Sequence, residues 1–311
     1  MALSGALLAG PARAQTLPDG PVTLLVPYTP GGGPDILARL IAPPLQALFG
    51  QPVVVENRAG ASGNIGTQAV ARAAPDGRML LVQANTFVMN PSLFRQVPYD
   101  PIAGFAPIIQ LSRGDMVLAV NPDVPARTAR EFAELARRQV LDYCSPGVGT
   151  PHHLGMALFA QVAGVTMNHI PYRGAAPAVQ DLIGKRVAAQ VMPVHVARPL
   201  AEQGQIRLLA VGSATRSAVA PDVPTVAEAG FPGAEVDLWF GLLGPAALPP
   251  ALVTRINQAA NAWLGEATAI AALKAQGMVA VGGTPQAFAD LLQRDLLRWA
   301  AVIKANAITA D

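Results

Sequence analysis

The stretch "LLVPYTPGGGPDILARLIAPPLQALFG" at residues 24–50 decides the fold, because it joins an apolar strand to a helix through a run of glycines. Hydrophobic spacing predicts the strand over residues 22–27 and the helix over residues 34–49. Pro43 and Pro44 fall inside this helix, so we expect them to kink or interrupt it. A strand, a glycine turn and a helix in this order indicate an α/β protein with a loop at the carboxyl end of the strand.

The start of this helix has the features of a small-anion site. Gly33 is predicted as the N-cap and Pro34 as the first helical residue, where a missing N–H costs nothing. Asp35 then lies in the first turn and offsets the positive helix end. The N–H groups within residues 30–33, where Pro30 itself has none, are expected to be unpaired, and such groups bind small anions, carboxylates included. A plain tight turn is the alternative for this loop by itself.

Two nucleotide-binding motifs do not fit the glycine run. A Walker A loop needs a lysine followed by serine or threonine, whereas the three glycines here precede Pro34 and Asp35. The dinucleotide fingerprint G-x-G-x-x-G would need a glycine where this chain has Ile36. The sequence therefore excludes phosphate binding by a Walker A loop and argues against a dinucleotide-binding fingerprint.

A second loop repeats the logic of the first. In "SPGVGTPHHLGMALF" a strand end is followed by Gly147 and Gly149, and then by Thr150 as predicted N-cap and Pro151 as first helical residue. Two such helix starts predict a cleft whose walls both offer N–H donors to a bare carboxylate. A side chain at the second glycine, as in Gly149→Val, is expected to obstruct the donors and weaken binding while the fold survives.

Short β-type runs alternate with longer helical patterns, which predicts βαβ units and mostly parallel sheets. The strands are predicted at residues 22–27, 53–56, 79–83, 108–111, 116–120, 142–145, 166–170, 187–191 and 206–211. The last segment is helical with no new series of strands. We therefore predict a discontinuous first domain at residues 15–118 and 238–311 and a second domain inserted at 119–237. Trp239, near the return crossing, is a candidate for stacking on a ligand.

Composition limits the class of protein. The 311 residues carry 22 Lys and Arg against 20 Asp and Glu, a net charge of +2, with no basic run longer than Arg137-Arg138. Nucleic-acid binding usually needs a clustered basic patch, so we expect no such partner. With hydrophobic residues at 51% and charged residues at 14%, the chain has ample material for a folded core. The single cysteine, Cys144, excludes an intramolecular disulfide and a cysteine-based metal cluster.

The opening "MALSGALLAGPARAQ" resembles the end of a secretory signal peptide. A short apolar run precedes Ala12-Arg13-Ala14, which fits an A-x-A cleavage signal. We therefore interpret residues 1–14 as a signal-peptide remnant cleaved near Ala14, with Gln15 as the mature start and a periplasmic location. No other run reaches the ~18 apolar residues that a membrane span needs.

Seven motifs in order along the chain resemble the Bug-type periplasmic solute receptors, also called tripartite tricarboxylate transporter receptors. They are "VTLLVPYTPGGGPDILARLIAPPL", "QPVVVENRAGASGNIGTQAVARAAPDG", "NPSLFRQVPYDPIAGFAPI", "GVGTPHHLGMALFAQVAGV", "HIPYRGAAPAVQDLIGKRV", "LLAVGSATRSAVAPDVPTVAEAGFPG" and "WFGLLGPAALPPALVTRIN". The resemblance implies a type II periplasmic binding protein, a Venus-flytrap with two α/β domains joined by a hinge around a ligand cleft. It implies a small carboxylate ligand, membrane transporter subunits as partners, a monomer, no catalysis, no metal and no cofactor.

The resemblance also implies which residues contact the ligand. The first loop, residues 28–33, and the second loop, residues 147–153, would hold the carboxylate, largely through backbone groups. Further contacts would come from the segment after the third strand and from the segment after strand 187–191. The predicted site residues are Tyr28, Thr29, Pro30, Gly31, Gly32, Asn85, Thr86, Phe87, Gly147, Gly149, Thr150, Pro151, His152, His153, Met192 and His195.

The chain departs from the family pattern at two places. Tyr28, Thr29 and Pro30 stand where Phe-Ala-Ala is usual, so the tyrosine either keeps the packing role of an aromatic or brings a hydroxyl to the pocket. The later segment "QVMPVHVARP" lacks the aspartate that commonly stands there and would face an amino group. This argues against an aspartate- or glutamate-type ligand and favours a less cationic one, such as an aromatic or short-chain carboxylate.

Two other functions stay open. The receptor could serve as a ligand sensor for a signalling system rather than for uptake. An exported α/β hydrolase is the enzymatic alternative, although the nucleophile-elbow motif G-x-S-x-G is absent. Cys144 follows an apolar strand and is interpreted as a buried small hydrophobe rather than as a nucleophile.

Overall fold

The computed structural model describes residues 17–310, so the predicted signal peptide and cleavage site lie outside the described residues. The strands are β1 (Val22–Val26), β2 (Val53–Asn57), β3 (Met79–Ala84), β4 (Phe105–Val120), β5 (Leu141–Ser145), β6 (Met167–Pro171), β7 (Ala189–Pro193), β8 (Arg207–Val211), β9 (Asp237–Pro245) and β10 (Met278–Ala280). The helices are α1 (Gly33–Phe49), α2 (Asn64–Ala71), α3 (Thr86–Leu93), α4 (Ala129–Arg138), α5 (Pro151–Ala163), α6 (Ala175–Ile183), α7 (Val194–Glu202), α8 (Pro250–Leu264), α9 (Ala267–Ala275) and α10 (Pro285–Ala305). The predicted α/β class is confirmed.

The long strand β4 belongs to two sheets. Its first part pairs with β9 and β10 in a sheet that continues through β3 and β1 to β2. Its last five residues pair with β7 and β8 in a sheet that continues through β5 to β6. We call the first sheet with α1–α3 and α8–α10 the first half, and the second sheet with α4–α7 the second half.

The prediction of mostly parallel sheets is wrong around β4 and β9. Only β1 with β2 and β3, and β5 with β6 and β7, run parallel within the described residues, while every pairing of β4 and β9 is antiparallel. The two strands predicted at 108–111 and 116–120 are one strand. The polar residues between them suggested a loop, but Ser112 pairs with Phe240 on one side and Ala280 on the other, so the backbone is held on both edges.

The double proline does not interrupt α1. The helix is continuous from Gly33 to Phe49 with Pro43 and Pro44 inside it, so the predicted interruption is wrong. Each proline removes one helical hydrogen bond. The fully buried side chains of Ile41 and Leu45 on either side bind the helix to the first sheet, and this packing outweighs the lost bonds.

Trp239 belongs to the core. Its side chain is 1% exposed, lies edge-on to Phe288 at 5.5 Å and donates through Nε1 to Asp295 Oδ2 at 2.7 Å. The predicted stacking on a ligand is therefore wrong, because both the ring and its donor are used to hold α10 against β9.

None of the helices within residues 17–310 combines the length and apolar character needed to cross a membrane.

Candidate ligand-binding site

The first loop leaves β1 at the carboxyl edge of the first sheet and enters α1. The N-cap is Gly32 rather than the predicted Gly33, with extended φ/ψ of −80° and 167°. A Cβ added to Gly33 would lie 2.8 Å from Phe240 Cζ, so the close approach of helix and sheet requires a glycine there.

Asp35 ties this loop to the helix. Its side chain is buried at 3% exposure and accepts hydrogen bonds from Gly31 N–H at 2.9 Å, from Arg39 at 3.0 and 3.1 Å, and from Asn57 Nδ2 at 2.9 Å. Burial by itself would raise the pKa of Asp35, but these hydrogen bonds outweigh it and the pKa lies below its usual value. The predicted free N–H of Gly31 is therefore occupied. The N–H groups of Gly32 and Gly33 have no hydrogen-bond acceptor within residues 17–310.

Tyr28 is built into the wall of the first half. Its hydroxyl donates to Gln83 Oε1 and lies 2.5 Å from Thr86 Oγ1. Gln83 in turn donates to Thr67 Oγ1 at 2.9 Å, so the hydroxyl joins a buried polar chain. Burial raises the pKa of Tyr28 to about 12. The tyrosine is therefore neutral and braces the base of the first loop, in addition to the packing role of an aromatic.

The segment after β3 starts α3 instead of forming a loop. Asn85 is the N-cap; its Nδ2 donates to Asp237 O at 3.0 Å, and its buried Oδ1 has no partner among the described residues. Phe87 is 0% exposed and stacks on Tyr99 with ring centroids 5.4 Å apart. Phe87 is thus a core residue, which corrects the prediction that its side chain lines the cleft.

The second loop leaves β5 and enters α5 as the sequence predicts. Thr150 is the N-cap and accepts from His153 N–H at 3.3 Å, and Pro151 is the first helical residue. The glycine N–H groups, however, are occupied: Gly147 N–H donates to Ser145 Oγ at 3.2 Å and Gly149 N–H donates to His153 Nδ1 at 3.1 Å.

The donors left in the second loop are the N–H groups of Val148 and His152. Neither has a partner in the part of the chain that the structure describes. Sequence reasoning missed Val148, because the glycine pattern marks the two flanking residues and not the residue between them.

Three histidines surround the second loop, and burial lowers the pKa of each. His153, 5% exposed, lies face to face with His169 at a centroid distance of 3.6 Å. Burial, and secondarily the neighbouring His169, lowers the pKa of His153 to about 3. Burial also lowers the pKa of His152 to about 4 and that of His169 to about 4. All three rings are therefore neutral at pH 7.

The second loop touches the first half at Leu93, the last residue of α3. A Cβ added to Gly149 would lie 2.6 Å from Leu93 Cδ1, and Gly149 has a φ of +73°. One turn earlier on α3, Asn90 Nδ2 donates to Ser62 O at 3.0 Å and to Asn64 Oδ1 at 2.7 Å. Helix α3 thus contacts the second loop at Leu93 and the turn before α2 at Asn90.

Gly149→Ala is expected to weaken ligand binding about 10-fold or more. The left-handed backbone costs an alanine roughly 1–2 kcal/mol, and the new methyl group would overlap Leu93. Opening of the two halves relieves this overlap, so the closed, ligand-bound form is disfavoured. The source of the effect is thus the contact with Leu93, not the N–H obstruction expected from the sequence.

Calorimetric titration with a small carboxylate measures this change. The double variant Gly149→Ala/Leu93→Ala is the control, because it makes room for the methyl group. Equal affinities of the single variant and the unmodified protein would contradict the assigned contact.

Met192 and His195 have different surroundings. Met192 is 1% exposed and belongs to the core cluster that contains Val117 and Val194. His195 is exposed on α7, and a Cβ added to Gly277 would lie 2.2 Å from its Cγ. Met192 is still part of β7, whose buried residues belong to the core, whereas His195 is on α7, which directs it toward the α9–β10 turn.

The turn before α2, residues 60–63, is not among the predicted site residues. Ala61 and Ser62 have φ of 45° and 54°, a left-handed conformation that costs non-glycine residues energy. Gly60 and Gly63 on either side also have positive φ. Strained residues of this kind concentrate at functional sites. The glycines of "AGASGNIG" were the available signal.

The comparison with known families identifies the chain. The family model described as "Tripartite tricarboxylate transporter family receptor" matches residues 37–308. This match covers most of the chain and confirms the resemblance inferred from the motifs.

Three solved structures are similar over almost the whole chain. R. palustris Rpa4515 with adipate shares 35% sequence identity at a TM-score of 0.80, covering 94% of this chain and 99% of that one. MatC from Rhodopseudomonas palustris with bound malate shares 30% at 0.76, covering 92% and 100%. The periplasmic binding protein BugD shares 31% at 0.76, covering 94% and 99%. The predicted periplasmic-binding-protein fold is confirmed, and the chain belongs to the family of tripartite tricarboxylate transporter receptors.

Proposed function

We propose that this protein is an extracytoplasmic receptor that binds a small carboxylate between its two halves for uptake by a tripartite tricarboxylate-type transporter. The observation that carries the proposal is the packing of Gly149 in the second loop against Leu93 of the first half. This contact joins the second loop to the half that contains the first loop, which supports a ligand region between the two glycine-containing helix starts. The carboxylates bound by Rpa4515 and MatC support the ligand class.

The carboxylate would be held by backbone donors. The candidates are the unpaired N–H groups of Gly32 and Gly33 at the start of α1 and of Val148 and His152 at the start of α5. Each pair lies at the positive end of a helix dipole, which favours an anion. A ligand that contacts both halves only when they are close stabilises the closed form, and binding then acts as a population shift.

The proposed domains are residues 15–118 with 238–311, and residues 119–237, joined through β4 and at the start of β9. Of the predicted site residues, we drop Phe87, Met192 and His195 because of their positions in the core or on α7. The proposed site comprises Tyr28, Thr29, Pro30, Gly31, Gly32, Asn85, Thr86, Gly147, Gly149, Thr150, Pro151, His152 and His153, with Gly33 and Val148 added for their N–H groups.

The ligand is proposed to be a carboxylate without an ammonium group, such as an aliphatic dicarboxylate or an aromatic acid. No Asp or Glu side chain occurs in either loop, so the proposed site lacks a partner for an ammonium group. The rings of His152 and His153 are neutral and supply no charge. The ammonium group of an amino-acid ligand would therefore leave water without an acidic partner in the site, which costs free energy.

A periplasmic location, cleavage near Ala14, a monomeric state and membrane transporter subunits as partners complete the proposal. A non-catalytic role is part of it. Cys144, the one cysteine, is fully buried, donates through Sγ to Ala178 O at 3.4 Å, and burial raises its pKa to about 12. A thiol in this environment is a poor nucleophile, which argues against the hydrolase alternative.

Two measurements test this function. Mass spectrometry of the native purified protein identifies a retained acid, and thermal unfolding is then followed with that acid and with adipate, malate and benzoate. A receptor is stabilised as RT ln(1 + [L]/Kd), about 2.7 kcal/mol at 100-fold excess over Kd, without consuming the acid. Aspartate and glutamate serve as controls and are expected to give smaller shifts. Turnover of an ester or acid without any stabilisation would reject the receptor. Growth on the acid after deletion of the gene separates uptake from sensing.

A further inference from the structure

The shape of the second loop depends on side chains rather than on its glycines alone. Ser145 Oγ donates to Gly147 O at 2.9 Å, and Thr150 Oγ1 donates to the same oxygen at 2.8 Å. Gly149 N–H is held by His153 Nδ1 at 3.1 Å. Each end of the Gly-Val-Gly turn is therefore fixed by an acceptor or donor from β5 or from the first turn of α5.

The hydrogen bond from Gly149 determines the tautomer of His153. A backbone N–H can only donate, so Nδ1 must present a lone pair and the ring proton must reside on Nε2. A protonated ring would carry a hydrogen on Nδ1 and would face the N–H of Gly149 donor against donor. The loop geometry is compatible only with neutral His153.

The stack behind His153 also disfavours a charge. His169 lies 3.6 Å from His153 between ring centroids, with an interplanar angle of 13°, and the ring of Tyr143 lies 5.0 Å from His169 and 6.1 Å from His153. His169 Nε2 is 2.7 Å from Ser145 Oγ, which ties the second ring to the start of the same loop. Neither ring forms an ion pair with a carboxylate in residues 17–310. Two cations could not share this stack without a counter-charge.

We propose that His153 and His169 are positioning residues of the receptor: a neutral stacked pair that holds Gly149 and Ser145 and thereby fixes the N–H groups of Val148 and His152 in the orientation that receives the ligand carboxylate. The role of the loop as a ligand site rests on the proposed function. The neutral pair itself rests only on the contacts described above.

Nitrogen-15 NMR of histidine-labelled, ligand-free protein tests the pair without any ligand. His153 is expected as the Nε2–H tautomer, with Nδ1 unprotonated and no titration between pH 8 and pH 5. Burial agrees with this, since it lowers the pKa of His153 to about 3. The Nδ1–H tautomer, or a ring that titrates above pH 6, would overturn the proposal.

Two matched variants separate positioning from packing. In His153→Asn the amide oxygen takes the place of Nδ1 and accepts from Gly149 N–H, whereas His153→Leu has the same branching without an acceptor. Both lose the stack with His169. Hydrogen exchange at Gly149 is expected to accelerate about 10-fold or more in the leucine variant and to stay slow in the asparagine variant. Equal exchange in the two variants would mean that the acceptor does not hold the loop.

Calorimetric titration with adipate, or with the acid retained by the native protein, extends the test to binding. The leucine variant is expected to bind about 10-fold more weakly than the asparagine variant, because the orientation of the loop is lost. If the exchange difference appears and the affinities are equal, the loop is not the ligand site. Failure of every acid to bind the unmodified protein would reject the proposed function. The NMR and exchange results would then still decide whether His153 and His169 form the neutral pair that holds the loop.

Discussion

Replacing Asp35 with alanine is expected to lower the free energy of unfolding by about 2–4 kcal/mol. The carboxylate is 3% exposed and is the acceptor for Gly31 N–H, Arg39 and Asn57. Its removal leaves the N–H of Gly31 without an acceptor at the base of the first loop, and leaves Asn57 Nδ2 with the carbonyl oxygen of Tyr28 at 3.2 Å. The loss of the charge pair adds little, because the Arg39 side chain is 55% exposed and its interaction is screened by solvent.

Urea denaturation at pH 7 measures this change, with two variants as controls. Asp35→Asn keeps an oxygen for Gly31 N–H and should lose less than Asp35→Ala. Arg39→Ala removes the exposed hydrogen bond from Arg39 to Asn57 Oδ1 but leaves the Asp35 contacts with Gly31 and Asn57 intact, and should lose less again, within about 1 kcal/mol. Because Gly31 precedes the free N–H groups of Gly32 and Gly33, the alanine variant should also bind the ligand more weakly. An Arg39→Ala loss as large as that of Asp35→Ala would show that the ion pair, not the loop bracing, is the main contribution.

Acidification is expected to destabilise the protein at pH values well above those at which ordinary carboxylates titrate. The pKa of His152, His153 and His169 is lowered from about 6.5 to about 4, about 3 and about 4. Between these values and pH 6.5 the unfolded chain binds protons that the folded chain does not. The free energy of unfolding therefore falls as the pH falls through 6.5. For His153, which is 5% exposed, the slope reaches about 1.4 kcal/mol per pH unit; the half-buried His152 and His169 contribute less because solvent screens them.

Urea denaturation between pH 7 and pH 4.5 measures the slope, and His153→Asn isolates one contribution. An asparagine does not titrate, so the slope should decrease by up to about 1.4 kcal/mol per pH unit relative to the unmodified protein. The comparison is needed because buried Asp237 and Asp295 have raised pKa values and act in the opposite direction. An unchanged slope in His153→Asn would mean that this ring is protonated in the native state.

The sequence predicted local structure well where the chemistry is local. The Thr150-Pro151 helix start is confirmed because a hydroxyl acceptor and a missing N–H act within one turn. The start of α10 is built in the same way, with Thr284 as the N-cap and Pro285 as the first helical residue. The start of α1 was displaced by one residue, and the effect of Pro43 and Pro44 was misjudged, because both depend on how tightly the helix packs on the sheet.

The site was harder to predict, because its donors are allocated by side chains that are distant in sequence or hidden in the fold. The sequence indicated that glycine N–H groups would face the ligand. Three of these groups instead donate to Asp35, Ser145 and His153. A glycine shows that the backbone can approach something closely, but it does not show which acceptor is nearer.

By itself, the sequence determined the α/β class, the two glycine loops at the carboxyl ends of strands and the family, because strand and helix periodicity, caps and turns are written in consecutive residues. Only the tertiary structure decided the pairing of β4 in two sheets, the contact of Gly149 with Leu93 and the stacking of His153 on His169. These join residues far apart in the chain, and no local pattern specifies which distant surfaces meet when the apolar faces are buried together.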